Sequence, residues 1–145
     1  MNVVDQMKLF LEPGSIAAIG VSRQTGPQAY NLLENLLQYG YQGRLYPVNP
    51  NASEILGLTT YPSVRDIPEV ADVALISLPR HLVVQVVDDC LSKGIKAIVI
   101  ITQGFADADD EEGPRLQQRI VAMARSAGAR ILGPNTFGVA NAYLK

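Results

Sequence analysis

The chain has 145 residues, a length that suits one folded domain, and 48% of them are hydrophobic. Charged residues make up 18%, and the formal net charge is −2. This balance favours a packed core, and it lacks the excess of positive charge with which proteins bind nucleic acid or an anionic membrane. We therefore predict one globular domain over residues 1–145.

Cysteine usage and the N-terminus indicate the cellular setting. Cys90 is the one cysteine, so an intrachain disulfide is impossible, and apolar neighbours at helical spacing predict a buried side chain. The first residues do not have the basic and apolar stretches of a signal peptide, and no apolar run reaches the ~18 residues that span a bilayer. We expect a cytoplasmic protein.

The first third of the chain predicts a helix and then two strands joined by a loop and a second helix. The first helix runs through residue 11 and is expected to dock on the edge of a sheet. An apolar run at residues 15–21 predicts the first strand, and polar residues 22–28 predict a loop. Gly40 is placed to end the second helix in a left-handed cap, and residues 43–48 form the second strand. The apolar face of the second helix is expected to comprise Tyr30, Leu33, Leu36 and Leu37.

The rest of the chain predicts three more strands that alternate with helices. Asn49-Pro50-Asn51 breaks the second strand, because proline lacks a backbone donor. The elements predicted after it are a turn of helix at 53–56, a minor strand at 58–61, a strand at 73–78, a helix from 82 to Gly94, a strand at 97–101, a helix at 114–126 and a strand at 130–132.

The character of the strands predicts the fold class. Strands that are apolar throughout need cover on both faces, as in a parallel sheet between helices. The alternation of strands and helices points to doubly wound connections. We predict an α/β fold, Rossmann-like and doubly wound, with a mainly parallel sheet of about five strands and helices on both faces.

The carboxyl ends of the predicted strands hold the candidate binding residues. In an open parallel sheet, ligands bind beyond these ends, near the point where the strand order reverses. Gly20 is expected to allow close approach of the backbone, and the amides of residues 22–28 to open a helix whose N-terminus favours an anion. A phosphate-bearing ligand is the prediction; the alternative is a glycine that serves only the tight turn. The five strand ends are Gly20-Val21-Ser22-Arg23, Val48-Asn49-Pro50, Leu78-Pro79, Gln103-Gly104-Phe105 and Gly133-Pro134-Asn135.

Two common nucleotide-binding patterns are missing from the sequence. The dinucleotide fingerprint G-x-G-x-x-G is absent, and the second strand ends in Val48-Asn49-Pro50 rather than in the acidic residue that holds the ribose of NAD. The phosphate-binding pattern G-x-x-x-x-G-K-[ST] is also absent, which disfavours an ATP-hydrolysing P-loop. An NAD(P)-binding redox protein is the least favoured interpretation, with Arg23 or Arg44 meeting a 2′-phosphate.

Short motifs along the whole chain carry a family resemblance. The chain resembles the CoA-binding domain of the nucleoside-diphosphate-forming acyl-CoA synthetases, relatives of the succinyl-CoA synthetase α subunit. The order and spacing of the motifs are more specific than any one of them. The motifs are Ile19-Gly20-Val21-Ser22, Asn35-Leu36, Tyr46-Pro47-Val48-Asn49-Pro50, Gly57, Leu78-Pro79, Gly104-Phe105 and Gly133-Pro134-Asn135-Thr136-Phe137-Gly138.

The resemblance implies that coenzyme A or an acyl-CoA binds at the strand ends. It implies that the loop with Gly20, Val21, Ser22 and Arg23 borders the phosphates, and that Val48, Asn49 and Pro50 border the adenosine. Leu78 and Pro79 would follow the pantetheine arm, and Gly104, Phe105 and Asn135 would lie toward the thiol. Three positions depart from the residues frequent in the family: Gln28 replaces a glycine, Asn51 a lysine and Thr136 a cysteine. The absence of a lysine at position 51 weakens an expected phosphate contact.

Catalysis by this chain alone is not expected. His81 is interpreted as a residue at the start of a helix, and the acidic run at 107–112 as a solvated helix start rather than a metal site. The resemblance implies that a phosphohistidine-bearing domain and an ATP-grasp domain, or subunits that carry them, perform the ligase reaction. We expect the N-terminal CoA-binding part of a longer synthetase or related acyltransferase; a stand-alone CoA-sensing module is the alternative.

Overall fold

A five-stranded parallel sheet forms the centre of the computed structural model, which describes residues 1–144. Its strand order is β2-β1-β5-β6-β7, and every neighbouring pair is parallel. The predicted doubly wound, Rossmann-like α/β fold is therefore confirmed. The sheet strands are β1 (Ser15–Ile19), β2 (Arg44–Val48), β5 (Val73–Ile76), β6 (Ala97–Ile100) and β7 (Arg130–Leu132), and a separate hairpin holds β3 (Glu54–Ile55) and β4 (Leu58–Thr59).

Helices cover both faces of this sheet. They are α1 (Val3–Leu11), α2 (Leu32–Gln38), α3 (Arg80–Lys93) and α4 (Glu112–Ser126), with a 3₁₀ turn at Val64–Asp66 that the sequence did not predict. Successive strand residues point to opposite faces, so each central strand contributes to two cores. Ile98 and Ile100 of β6 pack with α3 and α4, whereas Ala97 and Val99 pack on the side of α1. None of the helices described in residues 1–144 has the length and hydropathy needed to cross a membrane.

The first helix lies on a face of the sheet and not, as predicted, on its edge. Leu9 and Phe10 of α1 pack against a buried cluster that includes Ile16 and Val99, from β1 and β6. The Gln6 side chain donates a 2.8 Å hydrogen bond to the carbonyl oxygen of Gly128 and accepts one from Arg130. The sequence of α1 shows an apolar face, but the surface that it covers depends on the strand order.

The predicted turn of helix at residues 53–56 is wrong, because the segment forms the β3–β4 hairpin. Leu56 and Gly57, between the two strands, both have positive φ angles, 52° and 77°. Two such residues form the tight turn whose twist matches a hairpin. Tyr61 then makes a parallel bridge with Val48, so the predicted minor strand at 58–61 is present in shorter form.

The second helix begins later than predicted. Asn31 is its N-cap, and Tyr30 lies outside the helix with 66% of its surface exposed. Leu37 is also exposed, whereas Leu33 is fully buried and Leu36 half-buried. Two of the four residues assigned to the apolar face are therefore wrong. Gly40 has a φ of 81°, the left-handed conformation predicted for it.

Candidate functional site

The strand order reverses between β1 and β5, which are neighbours in the middle of the sheet. The chain leaves β1 toward α2 on one face and leaves β5 toward α3 on the other. The loops diverge at this point and leave a crevice at the carboxyl edge. A cleft of about 40 Å³ lies there, lined by Gly20, Val21, Ser22, Tyr30, Leu32 and Ser77. A cleft of this size holds only a small group, so a nucleotide ligand would lie along the open edge of the sheet.

Gly20 directly follows β1 and lies against the backbone of Ser77, which directly follows β5. Its φ is 86°, and an added Cβ would collide with the carbonyl oxygen of Ser77 and lie 2.8 Å from the Leu78 side chain. Its amide donates a 3.2 Å hydrogen bond to the carbonyl oxygen of Val48. Packing between strands thus requires glycine here, whatever role the residue has toward a ligand.

The loop after β1 is held by side chains at the start of α2. Asn31 contacts the carbonyl oxygens of Ser22 and Gln24, and the Glu34 carboxylate accepts a 2.9 Å hydrogen bond from the Gly26 amide. The expectation that residues 22–28 open a helix is wrong, because α2 starts at Leu32. Sequence reasoning missed Asn31 and Glu34, although asparagine followed three residues later by glutamate is the pattern of a helix start.

Asn49 joins the loops that follow β1 and β2. Its side-chain amide donates a 2.8 Å hydrogen bond to the carbonyl oxygen of Val21 and accepts one of 2.8 Å from the Asn51 amide. Pro50 and Arg23 are exposed at the same edge. The Arg23 guanidinium makes one long contact, 3.4 Å to the carbonyl oxygen of Asn51, so most of its donors face solvent. The structure brings together the residues predicted for the phosphate and adenosine ends.

On the other side of the crevice, Thr102 joins the ends of β5 and β6. Its hydroxyl accepts a 3.1 Å hydrogen bond from the Leu78 amide and donates one of 2.6 Å to the Leu78 carbonyl oxygen. Pro79 and Asn135 are exposed at this edge, and the Asn135 amide donates to the carbonyl oxygen of Thr102 at 3.0 Å. Leu78, Pro79 and Asn135 thus lie at adjacent strand ends.

Phe105 departs from its predicted position toward the thiol. Its side chain is fully buried in the core beside α3 and α4. Burial of a phenylalanine side chain contributes about 2–3 kcal/mol to stability, so its place in the core has a sufficient structural reason. Only the backbone of Gly104-Phe105 remains for a ligand, and Asp107 already accepts hydrogen bonds from both of these amides.

The acidic side chains after this loop are exposed and lead into α4, which begins at Glu112, so the interpretation of this run as a solvated helix start is confirmed. The Asp107 pKa is lowered, first by the hydrogen bond from the Gly104 amide and then by that from Phe105. The Asp110 pKa is lowered, first by the Gly113 amide and then by Arg80. Within residues 1–144, no cluster of three or more histidine, cysteine or acidic side chains has the arrangement of a metal site.

The single histidine and the single cysteine lie on α3. His81 is exposed in its first turn. Cys90 is fully buried in the core, as predicted, and none of its surface is accessible to solvent. Burial, and secondarily the charge of Asp89, raises the pKa of the Cys90 thiol to about 12, so the thiol is protonated at neutral pH.

A larger groove lies away from the strand ends. It measures about 340 Å³ on the outer surface between α3 and α4 and is lined by Val84, Gln85, Asp88, Arg119 and Met123. Because no residue of a strand end lines this groove, it is separate from the crevice described above.

Comparisons with known proteins agree on one family. Residues 14–142 match the family described as CoA binding domain. The chain is 46% identical over 140 residues to the ADP-forming acetate–CoA ligase II of Archaeoglobus fulgidus, covering 97% of this chain and 20% of that protein. Among solved structures, the dinucleotide-forming acetyl-coenzyme A synthetase 1 of Ca. Korarchaeum cryptofilum, determined with phosphate and ADP, is 42% identical with a TM-score of 0.83, covering 92% of this chain and 28% of that one.

A shorter protein is also similar. A conserved hypothetical protein from Pyrococcus furiosus is 31% identical with a TM-score of 0.61, and the match covers 81% of this chain and 90% of that one. This chain therefore spans less than a third of the two ligases but nearly all of one small protein. It belongs to the CoA binding domain family, the family of the domain that the motifs resembled.

Proposed function

We propose that the chain binds coenzyme A or an acyl-CoA along the carboxyl edge of its sheet. The observation that carries the proposal is the family match over residues 14–142 on a fold whose motif loops meet at the switch point between β1 and β5. The match favours coenzyme A over NAD(P), in agreement with the missing dinucleotide fingerprint.

The strand order supports a direction for the ligand. From one side of the sheet to the other, the order is β2, β1, β5, β6, β7. The residues that we assign to the adenosine follow β2, and those for the phosphates follow β1. The residues for the pantetheine arm follow β5, and those for the thiol follow β6 and β7. This is the order of the four parts in coenzyme A. We assign Asn49 and Pro50 to the adenosine, Ser22 and Arg23 to the phosphates, Leu78 and Pro79 to the pantetheine arm, and the Gly104 backbone with Asn135 to the thiol end.

We further propose that residues 1–145 are the N-terminal CoA-binding domain of a longer acyl-CoA synthetase that forms a nucleoside diphosphate. In that setting the domain would hold the thiol toward neighbouring domains, and fixed orientation makes such a reaction effectively intramolecular. The partners would be the phosphohistidine-bearing and ATP-grasp domains or subunits. The similar small protein of Pyrococcus furiosus favours a second candidate, a stand-alone module that senses CoA.

Isothermal titration of the chain with CoA, acetyl-CoA and NAD tests the ligand. We expect CoA or its thioester to bind and NAD not to bind; binding of NAD alone would contradict the proposal.

Arg23→Ala tests the site, because the exposed guanidinium has no strong partner within residues 1–144. Loss of a charge-assisted phosphate contact should weaken CoA binding by about tenfold or more.

The matched control is Arg115→Ala. Arg115 is an exposed arginine on α4 whose ion partner, Glu111, is also exposed. This variant should bind CoA like the wild type. Equal loss in both variants would indicate a general charge effect, and no loss in Arg23→Ala would remove Arg23 from the site.

A further inference from the structure

Asn31 is a buried polar side chain between the loop after β1 and the start of α2. Only 2% of its surface is exposed. Its Nδ2 donates hydrogen bonds of 2.8 Å to the Ser22 carbonyl oxygen and 3.0 Å to the Gln24 carbonyl oxygen. Its Oδ1 accepts a 3.1 Å hydrogen bond from the Glu34 amide. Both donor hydrogens and the acceptor are therefore used within the protein.

These bonds set the orientation of two peptide planes in the loop. In a trans peptide unit the C=O and the N–H point in opposite directions. Because the carbonyls of Ser22 and Gln24 point at Asn31, the amides that follow them, of Arg23 and Thr25, point away from it. Within the described residues, neither amide donates a hydrogen bond to the protein.

The amides that follow each of these two in the chain are occupied. The Gln24 amide donates to the Ser22 hydroxyl oxygen at 2.9 Å, and the Gly26 amide donates to the Glu34 carboxylate at 2.9 Å. The loop thus alternates between amides bonded to the protein and amides left for solvent or a ligand. Free backbone amides beside an arginine side chain form a favourable environment for a phosphate oxygen.

We propose that Asn31 is a positioning residue of the coenzyme A site, and this inference rests on the function proposed above. It holds residues 22–26 so that the amides of Arg23 and Thr25, together with the Arg23 guanidinium, face a phosphate group of the ligand. Asn31 itself does not touch the ligand, because both ends of its amide are bonded inside the protein.

Two substitutions separate this role from helix capping. Asn31→Asp and Asn31→Ser both keep a good N-cap oxygen, because aspartate and serine cap helices as well as asparagine does. The aspartate carboxylate is an acceptor only and cannot donate to the two carbonyls, and the serine side chain is too short to reach both. The matched control is Asn2→Asp at the N-cap of α1, where asparagine accepts a hydrogen bond from the Asp5 amide at 2.9 Å.

Three readouts test the inference. CoA titration should show about tenfold or greater weakening in both Asn31 variants and none in Asn2→Asp. Amide NMR of the wild type should show the Arg23 and Thr25 signals moving on addition of CoA. Trypsin should cut the folded Asn31 variants after Arg23 faster than the wild type, because the loop is no longer held.

The outcomes distinguish this inference from the proposed function. If the wild type binds CoA but the Asn31 variants bind it equally well, or the two amide signals do not respond, the inference is overturned and the proposed function stands. If the wild type binds no CoA, the proposed function fails together with the ligand part of this inference. Equal tryptic cleavage of wild type and variants would overturn the loop-holding role in either case.

Discussion

Arg80, in the first turn of α3, donates a 2.8 Å hydrogen bond from its guanidinium to the carbonyl oxygen of Gly104, 24 residues further along the chain. The same guanidinium pairs with Asp110 at 2.9 Å and with Glu112 at 3.2 Å. The start of α3 and the loop after β6 are thereby joined at the carboxyl edge of the sheet. The guanidinium presents five donors in a fixed planar fork that can serve three separated acceptors, whereas a lysine ammonium is a compact charge with three donors on a single nitrogen.

Arg80→Ala should lower the free energy of unfolding by about 1–2 kcal/mol, since it removes a bond to a carbonyl oxygen and leaves two acidic groups without their partner. Arg80→Lys should recover only part of this loss. Urea unfolding followed by circular dichroism measures the change. The exposed Arg115–Glu111 pair is the control, and Arg115→Ala should cost less than about 0.5 kcal/mol. Equal effects of the two alanine substitutions would contradict the joining role of Arg80.

The Asp107 carboxylate makes stability depend on acid pH. Hydrogen bonds from the Gly104 and Phe105 amides lower its pKa in the folded state. A group with a lowered folded pKa contributes stability above its unfolded pKa and loses it as the pH falls through the folded pKa. As the pH is lowered below about 4, the melting temperature of the wild type should therefore decrease. Asp107→Asn should show a smaller decrease over the same pH range. The same decrease in melting temperature with falling pH in both proteins would contradict the prediction.

Gly20→Ala should be far more damaging than Gly40→Ala. Both glycines have nearly the same positive φ, 86° and 81°, so the strain of the backbone conformation is matched. A Cβ at residue 20 collides with the Ser77 carbonyl oxygen, whereas a Cβ at residue 40 meets nothing within 4 Å. We expect the two variants to differ by about 2 kcal/mol or more in the free energy of unfolding. A similar stability for both would show that β1 and β5 can separate at little cost. Loss of ligand binding in a Gly20 variant would not by itself identify a ligand contact.

The Cys90 thiol should resist alkylation while the chain is folded. Its side chain is fully buried and its pKa is raised to about 12, so both access and thiolate formation are limited. Iodoacetamide at mildly alkaline pH should label it at the rate of unfolding, and promptly in denaturant. Rapid labelling of the folded protein would show that α3 opens locally.

Patterns that depend on local burial were predictable from the sequence. The continuous apolar runs of β1, β5 and β6 identified the central strands, because these strands are covered on both faces. Helical spacing predicted the burial of Cys90, and the glycines at 40 and 94 marked the ends of α2 and α3 through their left-handed conformation. The spacing of short motifs was also enough to indicate the family.

Contacts between distant segments were decided by the tertiary structure alone. Whether the asparagine at position 31 faces solvent or binds the loop after β1 depends on how α2 packs against the sheet. The bond from Arg80 to Gly104, the collision that Ser77 imposes at residue 20, and the burial of Phe105 all depend on which strands are neighbours. Periodicity in a sequence reports which side of an element is covered, but not what covers it. For that physical reason the sequence located the candidate site at the strand ends, and only the packed sheet showed how its loops are held.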